Sequence, residues 1–179
     1  SDIWVLTFDS IGQCKGTWKI LKPTNLFGAV MPRVLSPRAT HINNTIFVFG
    51  DTSACTDYIM ALDISRYLDN GTIHIHQISV KPCMPERVDF AIVQYNKNGI
   101  LLFGGRIDNI KIEEKATIAD LILLNTSNLH AQARVVPFFQ YENAIKIYDH
   151  HNIIVRGQRL YVFSGVASNR DSGKYLTIE

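Results

Sequence analysis

The stretch Asn98-Gly99-Ile100-Leu101-Leu102-Phe103-Gly104-Gly105 contains a turn signal, a short apolar run and a pair of glycines within eight residues. Asn-Gly is typical of tight β-hairpin turns because both positions tolerate positive φ angles. An apolar run of this length between turn residues is typical of a buried strand. The stretch therefore predicts a hairpin turn at Asn98-Gly99 and a buried strand that ends at the glycine pair.

Two other stretches of the chain repeat this pattern. Residues 45–51 read Thr-Ile-Phe-Val-Phe-Gly-Asp, and residues 159–165 read Arg-Leu-Tyr-Val-Phe-Ser-Gly. Phe49 precedes Phe103 by 54 residues, and Phe163 follows it by 60 residues. Repeats at such spacings are typical of proteins in which one supersecondary unit is stacked several times. We therefore interpret the chain as a repeat protein.

Short strand-like segments separated by Gly, Pro and Asn turns occupy the rest of the chain. The predicted strands cover residues 2–8, 17–21, 34–42, 45–49, 58–63, 72–78, 88–95, 100–103, 120–124, 133–138, 152–155, 160–163 and 174–178. They form two strands, two sets of four and a final three, about 13 in all. Residues 111–124 alone suggest a helix, and we interpret them as a loop that leads into a strand. The predicted fold class is all-β.

Composition and charge narrow the classes of function. The chain has 179 residues, of which 46% are hydrophobic and 19% charged, so it is globular rather than disordered. Its net charge of +2 is too small to indicate a nucleic-acid or membrane partner. No apolar run reaches the roughly 18 residues of a membrane-spanning helix. Ser1 stands where an initiator Met would, and no signal-peptide pattern follows, so we expect a processed chain or a piece of a longer one.

The repeats resemble kelch repeats of the galactose-oxidase and kelch superfamily. In that family the apolar run of strand two ends in a glycine pair, an Arg precedes strand one, an Asp opens strand three, and a Trp often lies in strand four. Here Gly104-Gly105 is the glycine pair, and Arg33 and Arg87 each lie 16 residues before the aligned Phe. Asp2, Asp57 and Asp120 open the third strands, Trp18 occupies the Trp column, and His150 occupies a column that often holds His. The chain departs from the pattern at Ser36, Phe90 and Ile147, and its later units lack the Trp.

The resemblance implies a kelch-type β-propeller segment made of four-stranded antiparallel blades. Residues 1–32 would be the last strands of one blade, 33–86 and 87–146 two whole blades, and 147–179 the start of a further blade. Propellers close with about 4 to 8 blades, so about three blades cannot close a ring. We therefore expect a larger ring of about six blades, completed by more of the same chain or by a second copy.

One face of such a propeller carries the loops between strands two and three and between strands four and one. Kelch adaptors commonly bind protein partners there, and Arg and aromatic residues dominate binding hot spots. The candidate partner-binding residues are Arg33, Arg38, Arg87, Arg106, Arg170 and Tyr141, and we name this side the arginine face. The alternatives are that Arg33 and Arg87 bridge blades and that Arg106 and Arg170 are ordinary solvated residues.

The opposite face carries a different signal. Three Asn-X-Ser/Thr sequons begin at Asn43, Asn70 and Asn125, and all map to loops on that face. Cys55 and Cys83 fall in loops of the arginine face within one blade, close enough to pair, which leaves Cys14 alone. The alternative is that all three cysteines are reduced and incidental. Kelch proteins are mostly intracellular, which favours an intracellular chain and leaves the secretory pathway as the alternative.

Catalytic signals are sparse. His74 and His76 share one side of a strand, a spacing that can bind a metal, but we expect no Cys or carboxylate nearby to complete a set of ligands, and solvated histidines fit better. We therefore expect no catalytic residue, no metal and no cofactor. The expected function is a non-catalytic interaction module or scaffold with a protein partner. The alternative is part of a propeller enzyme, of the copper oxidase or sugar epimerase type, whose site is completed by missing blades.

Overall fold

Fifteen strands and one short helix make up the described parts of the chain. The computed structural model describes residues 3–9, 15–21, 26–29, 37–50, 56–84, 87–105, 118–125, 132–140, 147–149, 151–163 and 166–167. The strands are β1 Trp4–Phe8, β2 Gly16–Ile20, β3 Leu26–Gly28, β4 Arg38–Ile42, β5 Thr45–Phe49, β6 Thr56–Asp63, β7 Ile73–Met84, β8 Ala91–Asn96, β9 Gly99–Phe103, β10 Ile118–Leu124, β11 Gln132–Gln140, β12 Ile147–Asp149, β13 Asn152–Arg156, β14 Arg159–Phe163 and β15 Val166–Ala167. The helix α1 covers Tyr67–Asn70.

Two antiparallel four-stranded units form the centre of the molecule. The first unit has the order β4-β5-β6-β7, and the second has the order β8-β9-β10-β11. The fourth strands of the two units pair in parallel, with residues 79–81 of β7 opposite residues 132–134 of β11. The parallel pairing fixes a common direction for both units, so equivalent ends of their strands lie on the same side of the molecule.

Each of the two units has a register shift near the start of its third strand, and the two shifts differ in size. The pairing of β6 with β7 shifts register between Thr56 and Tyr58, next to Asp57. The pairing of β10 with β11 shifts register between Ala119 and Asp120. Bulges of this kind bend a strand and redirect a side chain, and they recur within families. Three extra residues of β7 accommodate the first shift and one extra residue of β11 accommodates the second, so in both units the extra residues lie on the fourth strand.

The main core lies between the two units. Alternate residues of each strand point to one face of its unit, which is the period of a β-strand. The first unit contributes Ile42, Phe47, Phe49, Ile59, Ala61, Ile78, Val80 and Met84, and the second contributes Phe90, Ile100, Leu102, Ile122 and Leu124. The units thus pack face to face through an apolar layer that neither could bury alone.

A second core covers the other face of the first unit. Met60, Leu62, Ile73 and Ile75 point away from the main core and pack with Leu21, and residues of β1 lie against them. The first unit is therefore buried on both faces. The fold is all-β, with antiparallel four-stranded units stacked on one another, and this arrangement is compatible with a β-propeller.

Each predicted strand that falls on described residues is present, with ends that differ by a few residues. The predicted strand at 174–178 and the helix-like residues 113–116 lie outside the described residues. The sequence pattern did not predict the short strands β3, β12 and β15 or the helix α1. β7 continues to Met84, well beyond the predicted end at Ile78, because Val80 and Met84 maintain the apolar contacts with the main core.

The predicted turn at Asn98-Gly99 is displaced by one residue. Lys97 and Asn98 form the turn, Gly99 already belongs to β9, and neither Asn98 nor Gly99 has a positive φ. The Oδ1 atom of Asn96 accepts a hydrogen bond of 3.0 Å from the backbone N–H of Asn98, so a side chain organises the turn. A Cβ atom at Gly99 would lie 3.0 Å from this same Oδ1 and 3.3 Å from Cδ1 of Leu121, so the glycine permits a close approach.

Candidate interaction site at the arginine face

The arginine face is formed where β4 and β8 begin and where β5 and β9 end. Arg38 begins β4 opposite Phe49, and Ala91 begins β8 opposite Phe103. Residues 87–90, which lead into β8, connect these two units at this face. The Nη2 atom of Arg38 lies 3.7 Å from Oδ1 of Asp89 in that segment. Their pairing links the start of the first unit to the entry of the second.

Among the arginines that the structure describes, Arg38 is accessible to a partner on this face. Its side chain is 37% exposed, and that of Asp89 is 19% exposed. Ion pairs in such surroundings contribute only about 0–1 kcal/mol to stability because water screens them. A partner carboxylate could therefore compete for Arg38 at little cost to the fold.

Arg87 occupies a very different environment. The residue is 2% exposed, and its Nη2 atom donates a hydrogen bond of 2.5 Å to Oδ2 of Asp120 on β10. Burial lowers the pKa of Arg87, while the charge and hydrogen bond of Asp120 act in the opposite direction. The pair connects the entry of strand one to strand three within a single unit. This geometry supports the alternative of a structural role for Arg87, but within one four-stranded unit rather than between two units.

The glycine pair belongs to the same cluster. A Cβ atom at Gly105 would lie 2.7 Å from Cγ of Arg87, 2.7 Å from the carbonyl oxygen of Val88 and 2.9 Å from Cβ of Phe90. Gly105 also has a φ of 85°, in the left-handed region that favours glycine. The chain leaving β9 can therefore pack directly on the buried Arg87. The Gly pair, the Arg and the Asp are separate columns of the repeat in the sequence, and in the fold they form one structural cluster.

Most of the predicted partner-binding residues lie outside the described residues. These are Arg33, Arg106, Arg170 and Tyr141. Arg38 lies at the start of β4, and Arg87 is buried beneath this end of the strands. The partner-binding role of the set stays a prediction.

His151 makes contacts with Phe103 that the sequence pattern does not indicate. Its Nε2 atom lies 3.0 Å from the carbonyl oxygen of Phe103, and the two rings meet edge to face with centroids 5.7 Å apart. His151 is buried and directly precedes β13. It connects the hairpin of β13 and β14, which we call the third unit, to the exit of β9. The family pattern directed attention to His150, which lies outside the described residues. The residue with the buried contact is its neighbour.

The histidine pair on β7 has a neighbour that was not expected. His74 and His76 lie on one side of the strand, with ring centroids 6.4 Å apart. Asp63 lies directly opposite His74 in the pairing of β6 and β7, so a carboxylate is nearby after all. Within the described ranges, however, no group of three or more His, Cys, Asp or Glu residues could hold a metal ion.

Exposed apolar faces lie at both ends of the stack. On β1 and β2 the pairing places Trp4, Phe8, Trp18 and Ile20 on one exposed face, which we name the first end face. On β13 and β14 the pairing places Ile154, Tyr161 and Phe163 on another, the second end face. The alternate residues of β13 and β14 are less exposed and include the buried Ile153, and in the first hairpin Val5 of β1 packs against the second core. These faces resemble the inner faces of the stacked units.

The fold and these contacts define a class of protein, an all-β repeat protein of stacked four-stranded units. No family model matches the chain, and the comparison with curated proteins finds no similar sequence. In the part of the chain that the structure describes, no helix is long and apolar enough to cross a membrane.

Proposed function

We propose that this chain is a kelch-type propeller segment that acts as a non-catalytic interaction module and recognises a protein partner through the loops of its arginine face. The proposal rests on one observation: packed strand ends hold this face in position. Beneath it lie the buried Arg87–Asp120 pair and Gly105, and above it lies the half-exposed Arg38. Binding residues commonly lie on loops that a rigid scaffold holds in position.

The chemistry of the face favours an acidic or aromatic partner surface. An Arg side chain offers a planar fork of donors to carboxylates and a flat surface to aromatic rings. Arg38 is already within ion-pair distance of a carboxylate, Asp89, and a partner carboxylate would replace or supplement it. Arg106, Arg170 and Tyr141 are the sequence-predicted residues that would extend this surface.

Alanine substitutions test the proposal. A partner would first be captured by proximity labelling with the chain in its own cells, and its affinity would then be measured with purified proteins. The triple variant Arg38→Ala, Arg106→Ala, Arg170→Ala should bind at least about tenfold more weakly, the loss expected when hot-spot residues are truncated. Arg66→Ala is the matched control, because Arg66 is exposed and precedes α1 at the opposite end of the strands. Equal binding by the triple variant and the control would remove the arginine face as the binding surface.

The two end faces support a second part of the proposal, that further blades of the same protein or a second copy of the chain complete the ring. Contiguous apolar surface of this kind is usually covered in a folded protein. Light scattering after size-exclusion chromatography would measure the mass of the purified 179-residue chain. A dimer, or association with added flanking blades, is expected. A stable monomer of 20.2 kDa that remains dispersed would contradict it.

A further inference from the structure

The three sequons share one end of the strands. Asn43 lies in the turn between β4 and β5, Asn70 ends α1 before β7, and Asn125 directly follows β10. At this end of each unit a backbone hydrogen bond links the end of the third strand to the turn between the first two strands, from Ile64 N–H to the Asn44 carbonyl at 2.8 Å and from Leu124 N–H to the Asn98 carbonyl at 2.9 Å. Because the parallel β7–β11 pairing aligns the two units, all three asparagines lie opposite the arginine face.

Each of the three asparagines is accessible to a large modification. All three are exposed. Asn43 has a φ of 52°, which places it at the corner of its hairpin. The Oδ1 atom of Asn70 accepts hydrogen bonds from the backbone N–H of Thr72 at 3.0 Å and from its hydroxyl at 2.5 Å. These bonds use the oxygen of the amide, whereas a glycan is carried by the nitrogen.

An independent observation concerns the redox state of the chain. Cys83 on β7 forms a disulfide bond. The other two cysteines, Cys14 and Cys55, lie outside the described residues. Thr56, the neighbour of Cys55 in the chain, pairs with Met84, the neighbour of Cys83, and Cys55 is therefore the partner that we propose for this disulfide. Disulfides persist in oxidising compartments, and the secretory pathway is also where sequons are modified.

We infer that this chain is N-glycosylated at Asn43, Asn70 and Asn125 in the secretory pathway, with all three glycans at the end opposite the arginine face. At each site the amide nitrogen attacks the anomeric carbon of a lipid-pyrophosphate-linked oligosaccharide. The C–N bond forms, the bond from that carbon to the pyrophosphate oxygen breaks, and the nitrogen loses a proton. The disulfide forms by exchange with an oxidised protein disulfide, which is reduced to a dithiol. This inference replaces the intracellular expectation and does not depend on the proposed partner binding.

The endogenous protein provides the direct test. It would be immunoprecipitated from the cells that express it and treated with peptide-N-glycosidase in heavy-oxygen water, which converts each glycosylated Asn into labelled Asp. We expect label at Asn43, Asn70 and Asn125 and none at Asn44, an exposed neighbour that begins no sequon. Non-reducing peptide mapping should recover a Cys55–Cys83 linkage. Absence of label from the three sites, or a Cys83 thiol that alkylates without reduction, would overturn the inference.

Variants separate glycosylation from folding. In a eukaryotic secretory host, Asn43→Asp, Asn70→Asp and Asn125→Asp should each remove one glycan step on a gel, while Asn44→Asp removes none. Asp keeps the oxygen acceptor that Asn70 uses, and like Asn it tolerates the positive φ of Asn43. Circular dichroism would verify that each variant retains its strands. A folded, secreted chain without any glycan would contradict the inference, whereas the partner-binding assay would be unaffected.

Discussion

The two central units place the same sequence feature in opposite environments. In the second unit, Asp120 lies beside a register shift, is buried and holds Arg87. In the first unit, Asp57 also lies at a register shift, but that shift is larger and Asp57 is exposed. The Asp of this column is therefore part of a buried ion pair in the second unit and faces solvent in the first. Alignment of the repeats predicts where the third strand lies better than it predicts side-chain contacts.

Replacing each Asp by Ala in turn tests this difference between the units most directly. Asp120→Ala leaves the buried Arg87 without its carboxylate and should lower the free energy of unfolding by about 3–5 kcal/mol. Asp57→Ala should change it by no more than about 0.5 kcal/mol, as for ordinary surface positions. Urea unfolding followed by tryptophan fluorescence would measure both. Similar losses in the two variants would show that the units are energetically equivalent.

The glycine that packs on Arg87 should have the next largest effect. Gly105→Ala combines an unfavourable positive φ with contacts of 2.7 Å to Arg87 and Val88, and it should destabilise the fold by about 2–3 kcal/mol. Gly157→Ala is the matched control, since Gly157 has a φ of 61° but open space around its Cβ position. That control should lose only about 1 kcal/mol. If the two losses were equal, backbone conformation alone would account for the role of Gly105.

The buried histidine of the third unit should have a moderate effect. His151→Ala removes the hydrogen bond to the Phe103 carbonyl and the ring contact, so a loss of about 1–3 kcal/mol is expected. His41→Ala, at an exposed position on β4, should be close to neutral. Thermal unfolding by circular dichroism would compare the two variants with the parent chain. An unchanged midpoint in His151→Ala would show that the third unit contributes little to the stability of the second.

The smallest effect is expected at the surface of the arginine face. Arg38→Ala breaks the pair with Asp89 and should reduce stability by about 0–1 kcal/mol, a difference that vanishes at high salt. Unfolding midpoints at low and high ionic strength would measure this. A loss above about 2 kcal/mol would mean that Arg38 is structural like Arg87, and it would then be a poor candidate for partner binding.

The strands were predictable because their apolar residues alternate, and alternation survives wherever one face is buried. Phe47 and Phe49 illustrate this, since both point into the main core. The two-residue β15 and three-residue β3 are too short to show a period, and β3 is defined by its pairing with β7. Pairing with a distant strand leaves no local signal in the sequence.

The candidate site was predictable in its residues but not in its contacts. Arg87, Asp120 and the glycine pair were each recognised as columns of a repeat, yet their mutual packing depends on how β9 leaves the sheet. The disulfide of Cys83 was one of the open alternatives, because strand register decides which cysteines can meet. The expected loop position of Cys83 was wrong, since β7 extends through it to Met84.

The short parallel pairing between β7 and β11 limits how molecules of this protein can aggregate through their strand edges. An uncovered fourth strand would expose a row of backbone donors and acceptors that can recruit strands from other molecules. Residues 79–81 and 132–134 instead satisfy one another, so over this length the outer edges of the two units protect each other. The chain thereby restricts the places at which fibrillar growth could begin.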